Sequence, residues 1–283
     1  MSADSATRFR AWRYARPRAP RAKVDPRPEL QADPRFWLRV AIAACATFAV
    51  GAAWAVIVMR FGGWTHGLPR ELGVLTRLHR QLPTVVDWLV VQLPWLGTNL
   101  VFIPVLGPAC WYLWRKLKRP DLATIVAVTT VGNYVIGTAL KLAFERPRPA
   151  LWVARGEYTG SAYPSGHVMA ITSVIGVIAV LVSELRGAVS PLVGWMLLLI
   201  ATCYSRLYLG VHWPADVVGG LLAGGTWFVG ILWAKRTEVA LRSGTAQRGS
   251  RATATSSPRT AGFRSGAYSL PSGPNDHSSH RRS

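Results

Sequence analysis

Acidic residues are scarce: 13 Asp and Glu stand against 33 Lys and Arg in 283 residues, and only 16% of the chain is charged. Cysteine is scarcer still. The three cysteines, Cys45, Cys110 and Cys203, are odd in number, far apart and each set in apolar sequence. That pattern argues against a disulfide framework or a thiolate metal site and for buried free thiols. No cluster of His, Cys, Asp and Glu has the spacing of a metal-ligand set, so neither a metal nor another cofactor is expected. No internal repeat is evident.

Charge is also missing from long stretches, and those stretches give the fold class. Val40–Met59 is twenty residues without a charge; Leu93–Trp114, Leu122–Leu140, Val168–Ser183, Gly187–Ser205 and Val217–Ala234 complete a set of six apolar blocks. A helix crosses a bilayer core of roughly 30 Å with about 20 apolar residues. Soluble helices rarely run so long without a polar stripe. The blocks predict an all-α bundle of six transmembrane helices over residues 38–236, with a basic tail before it at 1–37 and another after it at 237–283. The first block starts too far into the chain, and lacks the small-residue site after it, to be a cleaved signal peptide; it is expected to stay as an anchor.

A net charge of +20 would suggest nucleic acid in a soluble protein, but its distribution suggests otherwise. Residues 1–37 and 235–283 hold twelve of the excess charges, and Arg115, Lys116, Lys118 and Arg119 fill one short connection between blocks. All fall on one side of the bundle, which by the positive-inside rule is the cytoplasm. Both termini are therefore expected inside a cell membrane, with no nucleic-acid partner. Neither tail has apolar residues at a helical or strand period, so both are expected to be disordered. The outward loop from Arg60 to Gln92 opposes the rule with four Arg. Part of it reads either as an interfacial helix or as a plain surface helix, with Leu68, Leu72, Leu75 and Leu82 near one face, Pro69 in the first turn and Arg70, Arg77, His79 and Arg80 elsewhere.

Nearly every ionisable group of the apolar region lies in three strings at the block ends: Lys141-x6-Arg148-Pro149, Pro164-Ser165-Gly166-His167 and Ser205-Arg206-x5-His212-x3-Asp216. An unpaired charge in hydrocarbon costs about 2.5–3.5 kcal/mol on insertion scales, so such groups default to function. Two prolines after Arg146 and Arg148 favour extended backbone, which presents Arg148 instead of folding it into a helix. Ser165-Gly166 ahead of a helix offers backbone N–H groups to an anion. Pro214 suits the first turn of the last helix, from which Asp216 can reach His212. Cations that hold phosphate oxygens, with an imidazole that can attack phosphorus, are the inventory of phosphoryl transfer through histidine. Glu145 and Arg146 have no evident role beyond pairing with each other or with a headgroup. Tyr163, Tyr208 and Trp213 are expected at the mouth or in an interfacial belt.

The eleven specified residues of these strings match, in order and spacing, the signature of the type 2 phosphatidic acid phosphatase (PAP2) family, membrane lipid phosphatases related to vanadium haloperoxidases. The resemblance covers Lys141–Asp216, and the block pattern extends it to roughly the whole bundle. It implies a phosphohistidine on His212, Asp216 as the orienting partner of that imidazole, and His167 as the acid for the leaving oxygen. Lys141, Arg148, Ser165, Gly166 and Arg206 would then hold the phosphate. The substrate would be a lipid phosphate or pyrophosphate of the outer leaflet, of polyprenyl pyrophosphate, phosphatidate or phosphatidylglycerol phosphate type. Two alternatives stand beside it: a lipid phosphotransferase using the same histidine, and a non-catalytic transporter. Charges clustered at one surface instead of the midplane weigh against the transporter. The particular lipid and the oligomeric state are not written in the chain.

Overall fold

The computed structural model describes residues 33–79, 82–93, 99–152 and 160–255, and all regular structure among them is helical. Residues 1–32 and 256–283, most of the two tails, lie outside the described residues, as does Arg80. The chain divides into two compact units, Met1–Val239 and Ala240–Ser283, and every candidate site residue lies in the first.

Eight helices follow one another: α1 (Pro34–Arg60), α2 (Glu71–Leu78), α3 (Thr84–Gln92), α4 (Asn99–Arg115), α5 (Pro120–Phe144), α6 (Gly166–Arg186), α7 (Ser190–Tyr208) and α8 (Pro214–Thr255). Their starts follow local chemistry. Asp33 caps α1 by accepting from Arg35 N at 2.8 Å with Pro34 in the first turn; Pro120 and Pro191 likewise stand in the first turns of α5 and α7, which have no side-chain cap. Five of the helices, α1, α5, α6, α7 and the Pro214–Lys235 part of α8, are long and apolar enough to cross a membrane. The sixth expected span is represented by α4, only 17 residues with Pro104 and Pro108 inside it; residues 94–98 of its apolar block lie outside the described residues. That length sits at the lower bound of a spanning helix.

The outer faces of the spans carry exposed apolar side chains, among them Leu38, Leu142, Leu197 and Val229. Their inner faces meet in a core of Phe36, Leu140, Met169, Trp227 and Ile231. Lipid tails are as apolar as this core, so packing and interhelical hydrogen bonds hold the helices together, with little help from water exclusion. Trp227 Nε1 donates to Thr129 O of α5 at 2.9 Å. Small residues bring α8 against α6: a Cβ at Gly220 would stand 2.8 Å from Ser165 O, and one at Gly224 2.8 Å from Met169 O. Within α6, Ile171–Ile175 form a π-helical turn, and Trp195 Nε1 of α7 donates to Ile171 O at 2.9 Å. Ser173 of the same turn donates to Asn133 Oδ1 at 3.0 Å, so a polar pair joins α5 to α6.

The outward loop differs from its expected form. The helix there runs only from Glu71 to Leu78, beyond Pro69, with Leu75 fully buried and Leu72 47% exposed. Its inward side also carries a buried acid, Glu71, which no apolar periodicity announces.

Candidate active site

The three strings meet at one end of the bundle. Helix α5 stops at Phe144 because Glu145 turns left-handed at φ 41° and two prolines follow. The extended chain after it is tied to the segment before α6 by Ala162 N donating to Arg146 O at 2.8 Å, and that segment is tied to α8 by Ser165 N donating to Asp216 O at 3.0 Å. Lys141 Nζ, one turn before the end of α5, donates to Ser161 O at 2.7 Å. Arg148 lies in the extended chain, where its Nη1 donates to Val211 O at 2.8 Å and its Nε to Gly160 O at 3.2 Å. Arg206, in the last turn of α7, is fully buried and donates to Ser205 Oγ at 3.2 Å. Gly166 opens α6 beside Lys141, whose Cε would stand 3.8 Å from a Cβ at that position.

Two polar atoms here are buried and have no partner among the described residues, Ser165 Oγ and His167 Nε2. Buried polar groups are normally paired, so each exception asks for a ligand or a water. Both belong to the start of α6, where backbone N–H groups also lack intrahelical partners. The charges of Lys141, Arg148 and Arg206 act on both His167 and His212, which puts the two imidazoles in one cationic environment.

His212, only 2% exposed, has its Nδ1 2.8 Å from Ala162 O. A carbonyl oxygen can only accept, so Nδ1 carries the proton and Nε2 keeps its lone pair. Asp216 was the expected orienting partner, but its Oδ2 is 3.8 Å from Nδ1 and accepts instead from Trp213 N at 2.8 Å. The backbone carbonyl thus fixes the tautomer, and the carboxylate stands behind it. Burial, then the charges of Arg148, Lys141 and Arg206, hold the His212 imidazole well below the ordinary histidine range, opposed by its bond to Ala162.

The residue that captures Asp216 is Arg146, fully buried and given no role by the sequence. Its Nη1 donates to Asp216 Oδ1 at 2.7 Å, its Nη2 to Gly63 O and to Glu71 Oε2, the latter at 3.2 Å, and its Nε to Trp64 O at 3.2 Å. The guanidinium also lies 5.4 Å from the ring of Trp64 and 5.6 Å from that of Trp213. Arg146 therefore belongs to the layer behind His212, whereas Arg148 binds the carbonyls of Val211 and Gly160. The only hint in the chain was the doubling of Arg-Pro at 146–149; Glu71 gave a weaker one, as an acid in a chain with 13.

The three aromatic residues expected at the mouth or in an interfacial belt are struts instead. Tyr163 is fully buried and its phenol donates to Gly51 O of α1 at 2.5 Å. Burial, then the Asp216 charge, raise that phenol above its ordinary range and keep it a donor, against the pull of Arg146. Trp213 is 4% exposed and donates to Pro147 O at 3.1 Å, and Tyr208 is 3% exposed and donates to Asp87 Oδ1 at 2.7 Å. Each ring is drawn inward because its polar atom finds a partner there.

Residues 122–240 match the PAP2 superfamily. The chain is 29% identical over 154 residues to an undecaprenyl-diphosphatase of Sulfolobus acidocaldarius, an alignment covering 52% of this chain and 68% of that one. It is 30% identical over 141 residues to the glucose-6-phosphatase catalytic subunit 1 of Bos taurus, but spans only 39% of that protein and uses 40% of its own length. In fold it resembles the crystal structure of a transmembrane PAP2 type phosphatidylglycerolphosphate phosphatase from Bacillus subtilis, with a TM-score of 0.58 at 19% identity, over 69% of this chain and 96% of that one. Apolar spans, cations gathered around two histidines and these likenesses converge: the chain is a multi-pass membrane hydrolase acting on phosphate esters, and its residues 122–240 are similar to the PAP2 superfamily.

Proposed function

We propose that the chain hydrolyses a lipid phosphate or pyrophosphate at the outer face of a cell membrane, through a phosphohistidine on His212. The observation that carries this reading is the bond from His212 Nδ1 to Ala162 O. It leaves Nε2 with a lone pair on a buried ring within electrostatic reach of Lys141, Arg148, Arg206 and His167. Six spans, α4 included, with both basic tails on the cytoplasmic side would set that group at the outer leaflet, where a lipid can enter sideways.

In the first step Nε2 of His212 attacks phosphorus and the bond to the leaving oxygen breaks. His167, protonated when the bound substrate phosphate offsets the three cations, gives that oxygen a proton, and the phosphoryl group remains on Nε2. Water then attacks phosphorus, gives its proton to His167, and the P–N bond breaks to release phosphate. Lys141, Arg148 and Arg206, with Ser165 and the N–H groups at Gly166, hold the phosphoryl oxygens and offset the charge of the transition state. Asp216, behind the Ala162 carbonyl, favours the positive charge that develops on the imidazole.

The relatives' names point to polyprenyl diphosphates and phosphatidylglycerol phosphate as the first lipids to try, with phosphatidate beside them. Phosphate release from farnesyl diphosphate, dioctanoyl phosphatidate and phosphatidylglycerol phosphate in detergent tests the reading. The native chain is expected to turn over at least one, and His212→Ala to lose turnover by at least about 10³-fold, as for removal of a nucleophile elsewhere. Equal turnover by the two chains would overturn the mechanism. Labelled water separates hydrolysis from transfer: label in the released phosphate supports hydrolysis, and a new phosphorylated alcohol supports a phosphotransferase.

A further inference from the structure

The group behind His212 contains more than the mechanism above uses. Glu71 is 4% exposed, and its carboxylate accepts from three donors: Ala215 N to Oε1 at 2.5 Å, Leu68 N to Oε2 at 2.7 Å, and Arg146 to Oε2 at 3.2 Å. Ala215 is the residue before Asp216 in the first turn of α8. Glu71 thus holds, from 144 positions away, the turn that carries Asp216, and also the guanidinium that binds the Asp216 side chain.

Charge points the same way. Two carboxylates share one guanidinium, so Glu71, Arg146 and Asp216 together carry one negative charge on the Asp216 side of the ring. The remaining ionisable groups acting on His212 are Lys141 of α5, Arg148 of the extended segment and Arg206 of α7, with His167 of α6 beside them. Without Glu71, Arg146 would cancel Asp216, and the imidazole would take up positive charge among cations alone.

We propose that Glu71 is a positioning residue for the nucleophile: through Arg146 and Ala215 N it fixes Asp216 behind His212 and leaves that group negatively charged when His212 takes the phosphoryl. The proposal rests on His212 being the nucleophile. It brings the short outward helix α2 into the catalytic apparatus, although its own residues need not touch substrate.

The test compares native chain, Glu71→Gln, Arg146→Gln and His212→Ala in detergent, with farnesyl diphosphate and dioctanoyl phosphatidate as probes. Glu71→Gln keeps an acceptor for Ala215 N and removes the charge. It is expected to lower kcat on the order of 10²-fold, the loss attached to about 1 Å of misplacement at a reacting group, with a smaller change in KM. It is also expected to move the acid limb of the kcat/KM profile to lower pH, because a protonated His212 loses a negative neighbour. Arg146→Gln leaves two uncompensated carboxylates and is expected to move the same limb to higher pH. Opposite displacements support the proposal; no displacement, or displacement in one direction, overturns it. If Arg146→Gln does not fold, the limb of Glu71→Gln decides alone, and a Glu71→Gln chain that fails to fold marks a structural residue and overturns the proposal. His212→Ala keeps the two readings apart. Turnover surviving that substitution defeats the phosphohistidine itself, whereas its loss beside a silent Glu71→Gln defeats only the role of Glu71.

Discussion

His212 sits among three cations with its ring buried, and both facts oppose a proton on Nε2. The free protein therefore holds this imidazole neutral at pH 7, and the acid limb that belongs to it lies below the ordinary histidine value of 6.5. The sign follows from the direction of the shift: a base held low keeps its lone pair as pH falls through 6.5 and loses it only at the depressed value. A kcat/KM profile corrected for the ionisation of the substrate phosphate is expected to show that limb, and a His212 limb at or above 6.5 would contradict the cationic surroundings. The eleven residues of the three strings were legible as a group because their types and spacing match a family signature, and the structure brings the strings together at one end of the bundle. Arg146 and Glu71 were not, because a bond across 75 positions leaves no periodicity to read. The acceptor for His212 was hidden for another reason: it is the carbonyl of Ala162, and a backbone carbonyl has no letter of its own.

At the scale of elements, the site depends on how closely α6 and α8 approach, since α6 starts with Ser165 to His167 and α8 with the turn of Asp216. Gly220 and Gly224 set that approach. Gly224→Val would place its Cβ only 2.8 Å from Met169 O and 2.9 Å from the Thr172 Cβ, and neither a helix backbone nor a branched carbon can yield easily. The expected cost is about 1–3 kcal/mol of stability, the usual range for overpacking. Turnover should fall further than stability explains, because the two helix starts separate; thermal melting and phosphate release in detergent measure the two losses. The apolar blocks foretold these helices well where they were long and uninterrupted. They foretold less for the outward loop, where Leu75 turns inward as expected of an apolar face but a buried acid shares that side. Hydrophobic spacing does not distinguish a carboxylate with three donors from one in water.

The first unit, Met1–Val239, presents apolar side chains outward along its spans and gathers the charged residues of the three strings at one end. If both basic tails face the cytoplasm, Leu151, beside the extended segment, lies outside the cell and Leu117, in the basic connection after α4, lies inside; both are exposed. In a chain with Cys45, Cys110 and Cys203 replaced by Ala, a membrane-impermeant thiol reagent is expected to label Leu151→Cys in intact cells. Leu117→Cys should be labelled only after permeabilisation, and the reverse pattern would invert the orientation. The blocks made this arrangement readable, α4 excepted: its 17 residues and two prolines give the weakest of the six signals.

Arg146 takes its partners from Gly63, Trp64, Glu71 and Asp216, contributed by the opening third of the polypeptide and by its final span. During synthesis the guanidinium emerges well before its strongest acceptor, since chains are made from the N-terminus and 70 residues separate Arg146 from Asp216. Until the last helix is inserted, a cation destined for complete burial has only half its counter-charge, which favours an open assembly over a closed one. A product ending before α8 would lack Asp216, so Arg146 would keep Glu71 as its one charged partner among those named and the Arg146 layer behind His212 would be incomplete.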